Sequence, residues 1–169
     1  MSDVIIRPIN AEDEKRINAA LSGMGWSERP GLYLSYAAQE ARGEIRTFVA
    51  ERDDEVLGYV TLQLNPTTGP FAGRGWPEIK DFNVIDRYRR QGIGSRLMDA
   101  AEDAARELSD VVTIAVGLNR DYGPAQRLYV KRGYVPDGSG AWYGEQPAKP
   151  YQSYCNDDDL MIYLSKELR

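Results

Sequence analysis

The stretch Asp81-Phe82-Asn83-Val84-Ile85-Asp86-Arg87-Tyr88-Arg89-Arg90-Gln91-Gly92-Ile93-Gly94 constrains the fold more than any other part of the chain. A strand candidate, Trp76 to Ile85, runs into a basic loop, and two glycines then open the clearest helical pattern. Between Gly92 and Leu108, residues Ile93, Leu97, Ala101, Ala104 and Leu108 share one face, while Arg96, Asp99, Asp103, Arg106 and Glu107 occupy the remainder. A β-branched run, Val111 to Val116, follows and stops at Gly117. Strand, helix and strand in this order demand a right-handed crossover and a parallel strand pair. The turn itself is an anion site. The first N–H groups of a helix lack intrahelical partners, and the helix dipole adds partial positive charge there. Gly92 and Gly94 let backbone amides approach a phosphate, and Arg89 and Arg90 bring full charges to the same place.

Which phosphate ligand is meant is narrowed by what the motif omits. No Gly-x-x-x-x-Gly-Lys-Ser/Thr occurs, so a P-loop NTPase is excluded. No third glycine and no preceding βαβ unit support a dinucleotide fold. What remains is Arg-x-x-Gly-x-Gly on a strand-to-helix turn.

Around this centre the expected elements are a strand at 4–9, helices at 11–21 and 29–42, and a hairpin of strands at 46–51 and 56–64. A Gly/Pro/Thr-rich loop follows at 65–75. After the strand at 111–116 come a helix at 124–132, with Pro near its start and Gly133 past its end, an extended segment from Tyr134, and a last strand at 160–164. Residues 138–150, rich in Gly, Pro and aromatics, are the expected substrate loop. A chain of 169 residues with 42% hydrophobic and 28% charged residues suits one soluble domain, 1–169.

Composition excludes several chemistries. There is no histidine, so no Ser-His-Asp or Cys-His nucleophile can form. A lone cysteine, Cys155, forms no internal disulfide, and no metal site is expected. The net charge of -5 argues against nucleic acid and suits a cationic small molecule. No apolar run approaches the ~20 residues that span a bilayer. The opening residues lack a basic segment followed by an apolar one, so no membrane partner and a cytoplasmic location are the expectations.

Arg89-Arg90-Gln91-Gly92-Ile93-Gly94 resembles the Gln/Arg-x-x-Gly-x-Gly/Ala signature of the GNAT acetyltransferases. Ala125-Gln126-Arg127-Leu128-Tyr129-Val130-Lys131-Arg132-Gly133-Tyr134 is similar to that family's Ala-x-x-Leu-Tyr-x-x-x-Gly-Phe/Tyr segment. The resemblance implies an α/β (α+β) GNAT fold: a mixed central sheet of about seven strands, flanking helices and a splayed parallel strand pair. It also implies acetyl-CoA as acyl donor, with direct attack by a primary amine and no covalent enzyme intermediate. Phe82, Asn83 and Val84 would line the pantetheine arm, with the Val84 amide polarising the thioester carbonyl. Arg89, Arg90, Gln91, Gly92, Ile93, Gly94 and Ser95 would bind the pyrophosphate. A homodimer, common in the family, is a further implication.

By the same resemblance Tyr129 matches the tyrosine that protonates the departing thiolate, a job that suits a neutral phenol. The alternative is that it packs under the helix and only holds the cofactor. Glu78 matches a glutamate base. Asp81 and a water chain are alternatives. Tyr122 stands where the family often has Asn, with Asn119 three residues earlier. The acceptor site would draw on Trp26, Tyr33 and Tyr36 from one side and Trp142, Tyr143, Tyr151, Tyr154 and Asp157-Asp158-Asp159 from the other. Alternatively, most of these aromatics are core and the acidic triplet a solvated turn. A small cationic amine is the expected acceptor. Protein N-termini or lysines, and a non-catalytic acyl-CoA-binding module, are the competing readings.

Overall fold

A computed structural model describes residues 2–169. In chain order the elements are β1 (Ile5–Pro8), α1 (Asp13–Gly23), α2 (Leu32–Ala41), β2 (Ile45–Arg52), β3 (Glu55–Gln63), β4 (Glu78–Val84), α3 (Ile93–Arg106), β5 (Val111–Gly117), α4 (Gly123–Lys131), β6 (Val135–Tyr143), β7 (Gln146–Pro147) and β8 (Leu160–Glu167). They build one mixed sheet in the order β1-β2-β3-β4-β5-β8-β6-β7. The sheet has eight strands rather than seven because the two-residue β7 turns back on Trp142 and Tyr143. Among the described residues, only β4 and β5 pair in parallel.

The two faces are covered differently. Leu97, Met98, Ala101 and Ala105 of α3 join Leu62, Ile79, Ile114 and Leu164 in one core cluster, which also takes in Tyr129 of α4. Ile17 and Leu21 of α1 and Tyr33 of α2 pack with Val49, Tyr59 and Ile85 on the opposite face. Alternation along the strands separates the two sets.

Several boundaries differ from the sequence expectation, each for a local reason. Helix α2 starts at Leu32, not Arg29, because a residue before a proline is disfavoured in the α region and Gly31 takes φ 81° as the cap. Gly92 likewise lies outside α3, with φ 79°. Leu108 is 57% exposed beyond the helix end and is not part of its buried face. The expected substrate loop is mostly sheet: residues 138–143 belong to β6 and Gln146–Pro147 form β7, leaving the turn at 144–145 and residues 148–150 outside the strands. A register irregularity between Pro136 and Ala141 absorbs Gly138 and Gly140, both at positive φ, so the glycines bend a strand instead of ending it.

Candidate active site

Strands β4 and β5 pair only at Glu78↔Thr113 and Ile79↔Ile114. Beyond that point they part, and a cleft of about 1050 Å³ opens between them. Its walls include Phe82, Asn83 and Val84 of β4, Ala115, Val116 and Gly117 of β5, and Leu128 and Tyr129 of α4. Arg89, Arg90, Ile93 and Gly94 stand at its mouth. The backbone edge of β4 is available there. Ile85 N–H bonds back to Leu57 C=O at 2.9 Å, on the β3 side. Strand alternation therefore turns the Val84 N–H the other way, into the gap.

The mouth is built for an anion. Arg90 (φ 62°) and Gly92 (φ 79°) both take the left-handed conformation, which for Arg90 costs roughly 1–2 kcal/mol. Alternating conformations of this kind turn successive amides inward. The first bond inside α3 runs from Arg96 N–H to Gly92 C=O, 3.1 Å, so the amides of Ile93, Gly94 and Ser95 have no helical partner. A Cβ on Gly94 would lie 3.3 Å from Phe82 Cζ, so glycine lets α3 approach β4 closely. Arg89 is turned back by Asp86 at 3.1 Å and donates to the Val84 carbonyl at 3.3 Å. Gln91, Gly92 and Ser95 are exposed and stand outside the cleft wall.

The two candidate proton-transfer groups lie on different faces. Tyr129 is 5% exposed within the α3 cluster, beside Phe82 and Tyr134 at ring distances of 6.5 and 6.0 Å. Burial, with a smaller push from Tyr122, lifts its phenol well above the ordinary range, so it stays a proton donor. Glu78 is 4% exposed and borders the cleft. Burial raises its pKa, and Lys80, 3.2 Å away, offsets part of the rise. Tyr163, whose phenol pKa is raised by burial and by the Glu78 charge, packs with Phe71 and Trp142 on the face opposite Tyr129.

Asp81 is placed differently from a base. It takes φ 48° at a bulge: Thr61 faces Lys80 and Tyr59 faces Asn83, so Asp81 and Phe82 together oppose Val60 alone. Its carboxylate accepts from Arg29 (2.8 Å), Tyr59 (3.0 Å) and Asn83 (3.2 Å) on one oxygen and from Tyr36 (2.9 Å) on the other. The Arg29 backbone N–H is fixed by Asn18 Oδ1 at 2.7 Å. Arg29 lay outside the sequence reading, because nothing local ties residue 29 to residue 81.

The acceptor candidates divide sharply. Tyr36, Asp158 and Asp159 border the cleft. Tyr33 is fully buried, its hydroxyl 2.9 Å from that of Tyr59. Trp142 belongs to the Phe71–Tyr163 cluster. Trp26 and Tyr151 are exposed away from the cleft. Tyr143 donates to Asp157 and stacks near Tyr154, apart from the cleft wall. Asn119 is a local cap, accepting from Asp121 N–H at 2.9 Å, and does not reach the cleft. Tyr122 does border it: its ring lies against Gly117, where any Cβ would overlap it, and its hydroxyl donates to Asp158 at 2.9 Å. Exposed Cys155 has its thiol pKa raised by its hydrogen bond to Asp157 and that residue's charge, which disfavours a thiolate nucleophile. No helix among the described residues is long and apolar enough to cross a membrane.

A parted parallel strand pair with a glycine-opened helix at its mouth defines the acyl-CoA-handling α/β class of the sequence resemblance. The sequence model of the Acetyltransferase (GNAT) family matches residues 13–134, and the chain belongs to that family. An N-alpha-acetyltransferase of Sulfurisphaera tokodaii is 31% identical over 122 residues, covering 62% of this chain and 70% of the relative. Two solved structures share the fold. A GNAT-family protein of Desulfovibrio desulfuricans superposes with a TM-score of 0.74 at 17% identity, over 99% of this chain and 100% of that one. Arabidopsis thaliana NAA60 in complex with acetyl-CoA gives 0.71 at 16% identity, over 98% of each.

Proposed function

We propose that residues 1–169 form one N-acetyltransferase domain that moves the acetyl group of acetyl-CoA to a primary amine. One observation carries the reading: the β4–β5 gap, faced by the Val84 N–H and headed by the free amides of α3, has Glu78 and Tyr129 at opposite faces. The residues fit the donor. The α3 amides with Arg90 suit a pyrophosphate, and the apolar walls of Phe82, Val84 and Leu128 suit a pantetheine arm. Acetyl-CoA supplies the activated thioester. Val84 N–H hydrogen-bonds the thioester oxygen, where negative charge develops. Glu78, whose raised pKa brings it closer to neutrality, takes a proton from the acceptor ammonium, and the neutral amine then attacks the thioester carbon. Tyr129 gives its proton to the sulfur as the C–S bond breaks, and the second proton shed by the nitrogen restores the phenol.

The acceptor is a small cationic amine, a reading supported by Glu145, Asp158 and Asp159 on the cleft wall. A second reading, the α-amine of a polypeptide, is favoured by the N-alpha-acetyltransferase relative. The test is release of free CoA thiol from acetyl-CoA against polyamines, amino acids, basic peptides and a no-amine control. Release above control with one class supports the enzyme and names its acceptor. Acetyl-CoA binding without release from any class supports the acyl-CoA-binding module instead.

A further inference from the structure

The Asp81 cluster lies beside the proposed chemistry but contains neither the proposed acid nor the proposed base. It gathers side chains from four places: Arg29 of the α1–α2 connection, Tyr36 of α2, Tyr59 of β3 and Asn83 of β4. The hydroxyls of Tyr36 and Tyr59 are kept protonated by burial and by the nearby Asp81 charge, so both remain donors toward it. With the Tyr59 proton committed to Asp81, Tyr33 must donate to Tyr59, and Asn83 and Arg29 donate to Tyr59 as well. Every hydrogen bond in the set points toward the carboxylate. A carboxyl that accepted a proton would become a donor facing donors, a poor arrangement for a base.

The position of this carboxylate in the backbone gives it another use. Asp81 is the left-handed residue of the β4 bulge, and the bulge changes register between Lys80 and Asn83. Without the extra residue, β4 would continue in regular alternation, and every later residue would exchange faces and edges. Val84 N–H would then turn from the gap toward β3. We infer that Asp81 is a positioning residue: its carboxylate, clamped by Arg29, Tyr36, Tyr59 and Asn83, holds the β4 bulge that aims the Val84 amide into the cleft. The inference rests on the proposed acetyl transfer for its catalytic consequence, and on the backbone alone for its structural one.

Two substitutions separate this role from that of a base. Asp81→Gly frees the backbone to keep φ 48° but removes the clamp. Asp81→Asn tolerates the same conformation and keeps an oxygen acceptor. The expected order of kcat is wild type, then Asn within about tenfold, then Gly lower by about a hundredfold, the loss typical of a 1 Å misplacement. The acidic limb of the pH profile stays at its wild-type position in both variants. Hydrogen–deuterium exchange of the Ile85 amide, which bonds back to Leu57 on β3, rises in Asp81→Gly, while exchange in the middle of α3 and in β8 stays at wild-type rates. Should Asp81→Gly not fold, Tyr36→Phe removes one donor and is expected to give the same local rise in exchange with about a threefold fall in kcat.

Equal loss in Asn and Gly with disappearance of the acidic limb would make Asp81 the base and overturn the inference. Wild-type exchange and kcat in Asp81→Gly would overturn it too, as would unchanged exchange in Tyr36→Phe. If wild type transfers acetyl to no amine, the proposed function fails by itself. The exchange data still decide whether the cluster holds the bulge.

Discussion

Gly58→Ala tests how closely the cleft depends on the spacing of β3 and β4. Gly58 pairs with Val84 and is not among the positive-φ residues, so alanine suits its backbone, and only space opposes it. A Cβ there would sit 2.6 Å from the Asn83 carbonyl oxygen, 3.1 Å from Val84 Cα and 3.2 Å from Leu97 Cδ1. The leucine can rotate. The two backbone atoms can move only with β4. Restoring an ordinary contact of 3.4 Å requires a displacement of 3.4 − 2.6 = 0.8 Å, a large step against a strand spacing of about 4.8 Å. It would also stretch the neighbouring 2.9 Å bond from Ile85 N–H to Leu57 C=O. Overpacking of this kind costs about 1–3 kcal/mol, or about 2–12 °C in Tm for a chain of this size. Because the shift carries the Val84 amide with it, kcat should fall about a hundredfold. Denaturant unfolding gives the first quantity and CoA thiol release the second. A variant within about 0.5 kcal/mol of wild type in stability, and within twofold in kcat, would refute the reasoning.

Three further outcomes follow from the site and its supports. Glu78→Gln should lower kcat by about 10²–10⁴ and abolish the acidic limb of the pH–rate profile. In wild type, the base role is lost as pH falls through a pKa raised above the usual glutamate range, so that limb should sit above the range. Tyr129→Phe should lower kcat by about 10²–10⁴ with little change in acetyl-CoA affinity, whereas loss of affinity alone would show that the ring only holds the donor. Glu102, 2% exposed, is buried at a cost that Arg132 and Lys166 more than offset, and its folded pKa lies below the unfolded value. Its contribution is therefore present above the unfolded pKa and lost as pH falls through the folded one. Glu102→Ala should destabilise by about 3–5 kcal/mol at pH 7, measured by denaturant unfolding, and by less in acid.

The site was legible where its signal is local. The basic loop, the two glycines and the apolar stripe of α3 lie within consecutive residues, and the structure puts Arg89, Arg90, Ile93 and Gly94 at the mouth of one cleft while the stripe packs into the core. The β4–α3–β5 unit follows from the same stretch, since a crossover helix leaves few choices. What stayed hidden depends on contacts distant in sequence. The Asp81 clamp joins residues 29, 36, 59 and 81, and the bulge that seats it leaves no mark in a strand that reads as ordinary alternation. The aromatic residues, which the sequence left open between core and acceptor site, were undecided for a related reason. Composition distinguishes neither Tyr33, sealed beneath α2, nor Trp142, sealed behind Tyr163, from Tyr36, which borders the cleft. Glycines at 138 and 140 suggested a loop, but pairing with β8 on either side of them keeps the segment in the sheet.

The most direct test of the donor site is a titration of the protein with acetyl-CoA, followed by amide chemical shifts in solution. The largest changes are expected at Val84 and at Ile93, Gly94 and Ser95, together with a rise in Tm at saturation. Shift changes confined to other surfaces, or no change in shifts and Tm, would contradict the assignment of the β4–β5 cleft to the acyl donor.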